Sequence, residues 1–157
     1  MSKLVKVKSN EKIQQTLTNT ESYSKKGIHI SLKYLHKCNV YCLKELHKYS
    51  KRKHNDNVFD ELQKFIYEAE KCDNLDEMIG SYTSSKGSKI DNSNHFVKQV
   101  IKKFKEAYPE DAGLVSSKLI HIHTKRKGKG SFVIFGQTYE NTFYILAFDP
   151  EHSFDKI

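Results

Sequence analysis

One C-terminal stretch decides the fold: Leu119-Ile120-His121-Ile122-His123, the turn Thr124-Lys125-Arg126-Lys127-Gly128-Lys129-Gly130, Phe132-Val133-Ile134-Phe135-Gly136, the turn Tyr139-Glu140-Asn141, and Phe143-Tyr144-Ile145-Leu146-Ala147-Phe148. Residues 119–123 alternate apolar and polar with period two, as a half-buried strand does. The next two apolar runs are continuous, which fits central strands. Three strands joined by two short turns predict an antiparallel meander. Ile120 and Ile122 are expected to face the core, with His121, His123 and Lys125 in a row on the other side.

Working toward the N-terminus, Phe96, Val100, Ile101 and Phe104 form a helical stripe that Ser93 or Asn94 can cap and Pro109 closes. Lys98, Lys102, Lys103 and Lys105 fill its other face. The stretch 80–94 is rich in Ser, Gly, Lys, Asp and Asn and reads as a loop. Val58, Phe59, Leu62, Phe65, Ile66 and Ala69 give an amphipathic helix after the break at Asn55-Asp56-Asn57, with an acidic face of Asp60, Glu61, Glu68 and Glu70. Asp73-Asn74 caps a short helix through Met78 and Ile79. Residues 39–53 fit another helix. Residues 28–34 alternate and predict an early strand. The order is that of an α+β domain, with helices packed on one face of a small, mainly antiparallel sheet. Residues 1–26 read as a polar basic arm, and 27–157 as a single domain.

The whole chain has 157 residues and a net charge of +8. That charge comes in blocks: basic up to residue 54 and over 93–130, acidic over 55–92 and 131–157. Blocks of one sign suggest a binding face more than a uniformly basic surface. The cations are nearly all Lys; Arg52 and Arg126 are the arginines. No run approaches the ~20 apolar residues needed to span a bilayer, so no membrane partner is expected. Cys38, Cys42 and Cys72 are odd in number, and residues 1–8 lack the apolar core of a signal peptide. Both point to a cytoplasmic protein with reduced thiols.

The segment Phe132-Val133-Ile134-Phe135-Gly136, a polar turn, then 143–148 followed by Asp149-Pro150-Glu151-His152 resembles the RelE/ParE-like toxin superfamily. Its members pair two apolar strands across a short turn and end in a His-containing tail; His152 stands where that His would be. The resemblance implies a toxin of a toxin–antitoxin system: a metal-independent endoribonuclease acting on mRNA at the ribosome, and a cognate antitoxin chain. The chain departs from the pattern in two places. Val133 occupies the strand where many ribosome-dependent members carry Arg, and the tail reads His152-Ser153-Phe154-Asp155, without the usual Arg and Tyr. Those departures keep open a non-enzymatic binding module of the same fold, aimed at gyrase or another protein, and a mobile-element defence protein.

The candidate chemistry sits around the basic turn. Lys125, Lys127 and Lys129, interrupted by Gly128 and Gly130, suit phosphate contacts, and Lys102 can extend the patch. Arg126 can stabilise a phosphorane. His121, His123 and His152 can move the protons that RNA cleavage requires. His121-x-His123 also fits two metal ligands on one strand face. Tyr139 and Tyr144 can stack on bases. No phosphate-binding Gly loop, nucleophile elbow, paired CxxC or HExxH motif is present, so an ATPase, an elbow hydrolase or a zinc protease is not expected. No cofactor is expected.

Overall fold

The computed structural model describes residues 27–35, 42–49 and 57–154. The basic arm and the run Lys51-Arg52-Lys53 lie outside them. The chain enters a short strand β1 (His29–Ser31), then a one-turn helix α1 (Leu43–Leu46) with a 3₁₀ turn (His47–Tyr49). Helices α2 (Val58–Ala69) and α3 (Leu75–Tyr82) follow, then strand β2 (Lys89–Asp91), helix α4 (His95–Ala107), and the strands β3 (Lys118–Lys125), β4 (Lys129–Tyr139) and β5 (Thr142–Asp149). The sheet order is β1-β5-β4-β3-β2. The expected meander is present, and β2–β3, β3–β4 and β4–β5 are antiparallel; β1 joins β5 in parallel.

The helices start where side chains can accept from otherwise unpaired amides. Asn57 accepts from Phe59 N at 2.9 Å, Asn74 from Glu77 N at 2.8 Å and Asn94 from Val97 N at 3.2 Å. Glu77 Oε2 accepts in return from Asp73 N at 2.8 Å, which ties the residue before the cap to the first turn of α3.

The α+β class is as expected, but the helices divide between both faces of the sheet. On the first face α2 and α3 bury Leu62, Phe65, Met78 and Tyr82 against Ile120, Ile122, Phe132 and Ile134. On the second, α4 buries Phe96, Val100 and Phe104 with Leu119, Val133 and Phe135. The reason lies in β4, where consecutive residues 132–135 are all apolar and all buried. Such a strand needs cover on each side. The loop expected over 80–94 is also partly ordered: α3 runs to Tyr82, and β2 pairs Lys89 with Ile120. The early strand is shorter than expected, and of the helix expected over 39–53 the described part is α1 and its 3₁₀ turn.

A β-bulge fixes which side chains of β5 meet which face. Phe135 pairs with Ala147 and Gly136 with Ile145, so Leu146 is an extra residue. Before it, Phe143 and Ile145 face α2; after it, Phe148 does, while Leu146 and Ala147 both belong with α4. Gly136 makes the close approach possible. A Cβ there would lie 2.5 Å from the Tyr144 carbonyl oxygen and 2.5 Å from Phe143 Cζ. Backbone cannot yield as a flexible side chain would. Gly136→Ala is therefore expected to destabilise the fold by about 2 kcal/mol, measured as a lower denaturant midpoint with an unchanged m-value. An unchanged midpoint would mean that the strands can part without cost.

Candidate functional site: a histidine cleft beside the basic turn

His121 and His123 project from β3 on the α4 face. The sequence places them on an exposed row with Lys125; in the structure both are buried, at 6% and 5% exposure. Two features explain the difference. Phe154, from the tail after β5, packs against His121 (ring centroids 5.3 Å apart) and Phe135 (5.1 Å). The β3–β4 register also shifts between His123 and Lys125, which breaks the row. Lys125 then lines the opposite side of the turn.

The tail brings a third histidine. Asp149, at 1% exposure, accepts from Glu151 N (3.3 Å), Ser153 Oγ (3.0 Å) and Phe154 N (2.8 Å). Asn94 Nδ2 donates to the Phe154 carbonyl at 3.2 Å and Ser131 Oγ to the Pro150 carbonyl at 3.3 Å, tying the tail to α4 and β4. Held this way, His152 takes a left-handed φ of 54°. A non-glycine residue there costs of order 1 kcal/mol and persists where its surroundings over-determine it. The result is a trio: His152 stacks on His123 at 5.2 Å and stands 6.3 Å from His121, and His121 and His123 are 5.4 Å apart.

His123 has a defined tautomer. Its Nδ1 lies 2.9 Å from the Gly130 carbonyl oxygen. A carbonyl only accepts, so Nδ1–H donates and Nε2 keeps its lone pair. Burial pushes the His123 pKa below its ordinary value of 6.5; the Gly130 bond opposes that shift and nearby His152 adds to it. His123 is thus a neutral imidazole with a free acceptor nitrogen near neutral pH.

The trio opens into a cleft of about 320 Å³, walled by Ser84, Lys86, Lys89 and Gly128. Gly128, at φ 62°, is pressed against the Ser84 backbone: a Cβ there would sit 2.4 Å from Ser84 Cα. Two lysines at the mouth of a histidine cleft favour an anionic ligand. One nitrogen from each ring can also come within 4.8 Å of the others, a spacing that could grip a divalent cation.

No protein-family model, curated protein or solved structure matches the chain.

The other expected site residues are dispersed. Arg126 and Lys125 line a separate cleft on the first face. Lys127 and Lys129 are exposed on the turn, and Lys127 has φ 61°. Lys102 is exposed on α4 and pairs with Glu106 at 3.8 Å. Tyr144 belongs with the core around α4, and Tyr139 is 56% exposed at the end of β4. Lys86, in the turn before β2, and Lys89, the first residue of β2, carry no mark in the sequence, since neither stands out from the polar stretch around it. Cys42 and Cys72 are buried free thiols. Among the described residues no helix is long and apolar enough to cross a membrane.

Proposed function

We propose that this protein is an endoribonuclease that cleaves RNA by metal-independent transesterification in the histidine cleft. The observation that carries this reading is His123 Nε2, left as an acceptor by the Nδ1–H bond to Gly130, beside a second imidazole, His152, at a lysine-flanked opening. His123 Nε2 takes the proton of a ribose 2′-hydroxyl. The 2′-oxygen attacks the adjacent phosphorus, the bond from phosphorus to the 5′-oxygen breaks, and protonated His152 gives its proton to that leaving oxygen. Products are a 2′,3′-cyclic phosphate and a 5′-hydroxyl, so atoms and charge balance. Lys86 and Lys89 stabilise the charge on the phosphorane, and Lys127 and Lys129 hold the flanking strand. A ribosomal mRNA substrate and a neutralising partner chain belong to the same proposal, and their support is the basic turn and the toxin-like strand pattern.

The test uses the purified protein, a labelled RNA, and the same oligonucleotide with 2′-deoxy sugars, with and without chelator. Cleavage of RNA alone, ending in cyclic phosphate and insensitive to chelator, is expected. The spacing of the three rings favours one further reading, a metal-assisted hydrolase. Cleavage lost on chelation and restored by zinc would establish that reading in place of acid–base catalysis. Tight RNA binding with no cleavage would leave a binding module.

A further inference from the structure

A second cleft, of about 560 Å³, lies on the first face between α2, α3 and the turn after β3. At its wall is Glu61, which helical spacing places on the exposed acidic face of α2. It is 6% exposed instead. Glu61 Oε1 accepts from the Thr124 hydroxyl. A carboxylate has about four lone-pair positions, and burying one beside a cationic turn calls for further donors. Above it, the Arg126 guanidinium stands 5.6 Å from the centre of the Tyr82 ring. Burial raises the Tyr82 pKa, opposed by the Arg126 charge and its hydrogen bond, so Tyr82 stays a neutral phenol. Tyr82 is itself buried in the core, so it backs the exposed Arg126 guanidinium, whose outer plane is the kind of flat cationic surface on which bases stack.

Gly130 lies between His123 of the first cleft and Glu61 of the second. The Gly130 carbonyl receives the His123 Nδ1–H bond at 2.9 Å. On its other side, a Cβ at Gly130 would lie 3.7 Å from Glu61 Oε1. One residue therefore separates the carboxylate from the imidazole. A nucleotide whose phosphate sits by the histidines can pass its base around the turn to Glu61.

A carboxylate accepts but cannot donate, so it selects the base edge that presents two neighbouring donors. Guanine does, with N1–H beside its exocyclic amine. Adenine and cytosine each pair one amine with a ring acceptor, and uracil flanks one N–H with two carbonyls. We propose that the Glu61 cleft is a guanine-binding subsite, read by the Glu61 carboxylate and stacked against the Arg126 guanidinium. Its role in choosing the cleavage position rests on the nuclease reading; its binding of guanine does not.

The test is calorimetric binding of the four ribonucleoside monophosphates to the full wild-type chain, repeated with Glu61→Gln. A matched bidentate pair is worth a factor of about ten to a hundred. Guanosine monophosphate is expected to bind better than the other three by that factor. Glu61→Gln, which can keep the Thr124 contact, is expected to abolish the preference. Equal binding of all four nucleotides by the wild type would overturn the proposal without recourse to any variant, as would an undiminished preference in Glu61→Gln. Cleavage of a mixed-sequence RNA separates the two readings. Cutting without base preference would remove the subsite's role in choosing the cleavage position and keep the nuclease. Guanine-selective binding with no cutting would do the reverse.

Discussion

His123→Gln is expected to lower kcat/KM for RNA cleavage by about 10²–10⁴-fold while leaving the fold in place. The amide nitrogen of Gln can still donate to the Gly130 carbonyl, which His123 Nδ1 reaches at 2.9 Å in the wild type. It cannot take up a proton from a 2′-hydroxyl. The packing loss is small, whereas the chemistry is removed. The pH dependence gives an independent check. His123 acts as a base only when neutral, and burial first, then His152, lowers its folded pKa below 6.5. The neutral form therefore survives to more acidic pH than for a free imidazole. The acidic limb of the kcat/KM profile should fall below pH 6.5, and an NMR titration of the His123 ring should show the same midpoint. Replacing His152 with Gln removes one of the lowering influences, so that midpoint should move upward. A loss under tenfold in His123→Gln, or a midpoint at or above 6.5, would take the base role away from His123.

The sequence carried the meander and its helices because their signals are local. Apolar runs of strand length separated by Gly- and Asn-containing turns need no tertiary information, nor does an Asn ahead of a helical stripe. The site was legible only in part, because burial on a sheet is decided by what covers it. The alternation of Ile120 and Ile122 with His121 and His123 is genuine, yet both rows are buried. Cover for the histidine row comes from α4 and from Phe154, more than thirty positions away in the chain. Glu61 misled for the same reason. Period 3.6 places it beside Asp60 and Glu68, but the β3–β4 turn folds down over that part of α2 and Thr124 donates to it. Arg126 was marked out by its rarity in a Lys-rich chain. Its neighbourhood depended on the register shift after His123, which no pattern in 118–129 announces.

Asp149→Ala is expected to cost about 3 kcal/mol, a fall in Tm on the order of 10 °C, and to reduce cleavage to the level of a His152 variant. The carboxylate takes three hydrogen bonds from the tail, and the Phe154 amide at 2.8 Å is buried. Alanine leaves that N–H with no acceptor in a place water does not reach, which is the expensive way to lose a hydrogen bond. The effect is also positional. His152 holds φ 54° only while the turn on both sides of it is fixed, and with Asp149 gone the turn can relax to an ordinary conformation and carry the imidazole off His123. Phe154 would loosen with it and uncover His121, from which it stands 5.3 Å. Ser153→Ala supplies the control, since it deletes one of the three bonds and leaves the Phe154 amide satisfied; about 1 kcal/mol and near-normal cleavage are expected. Asp149 touches no reacting atom, so its part is to position His152, and NMR exchange broadening of His152 in Asp149→Ala would show the release directly. If Asp149→Ala melted early but cut RNA at the wild-type rate below its Tm, the tail would be a structural latch and the acid of the reaction would have to be sought elsewhere, His121 first.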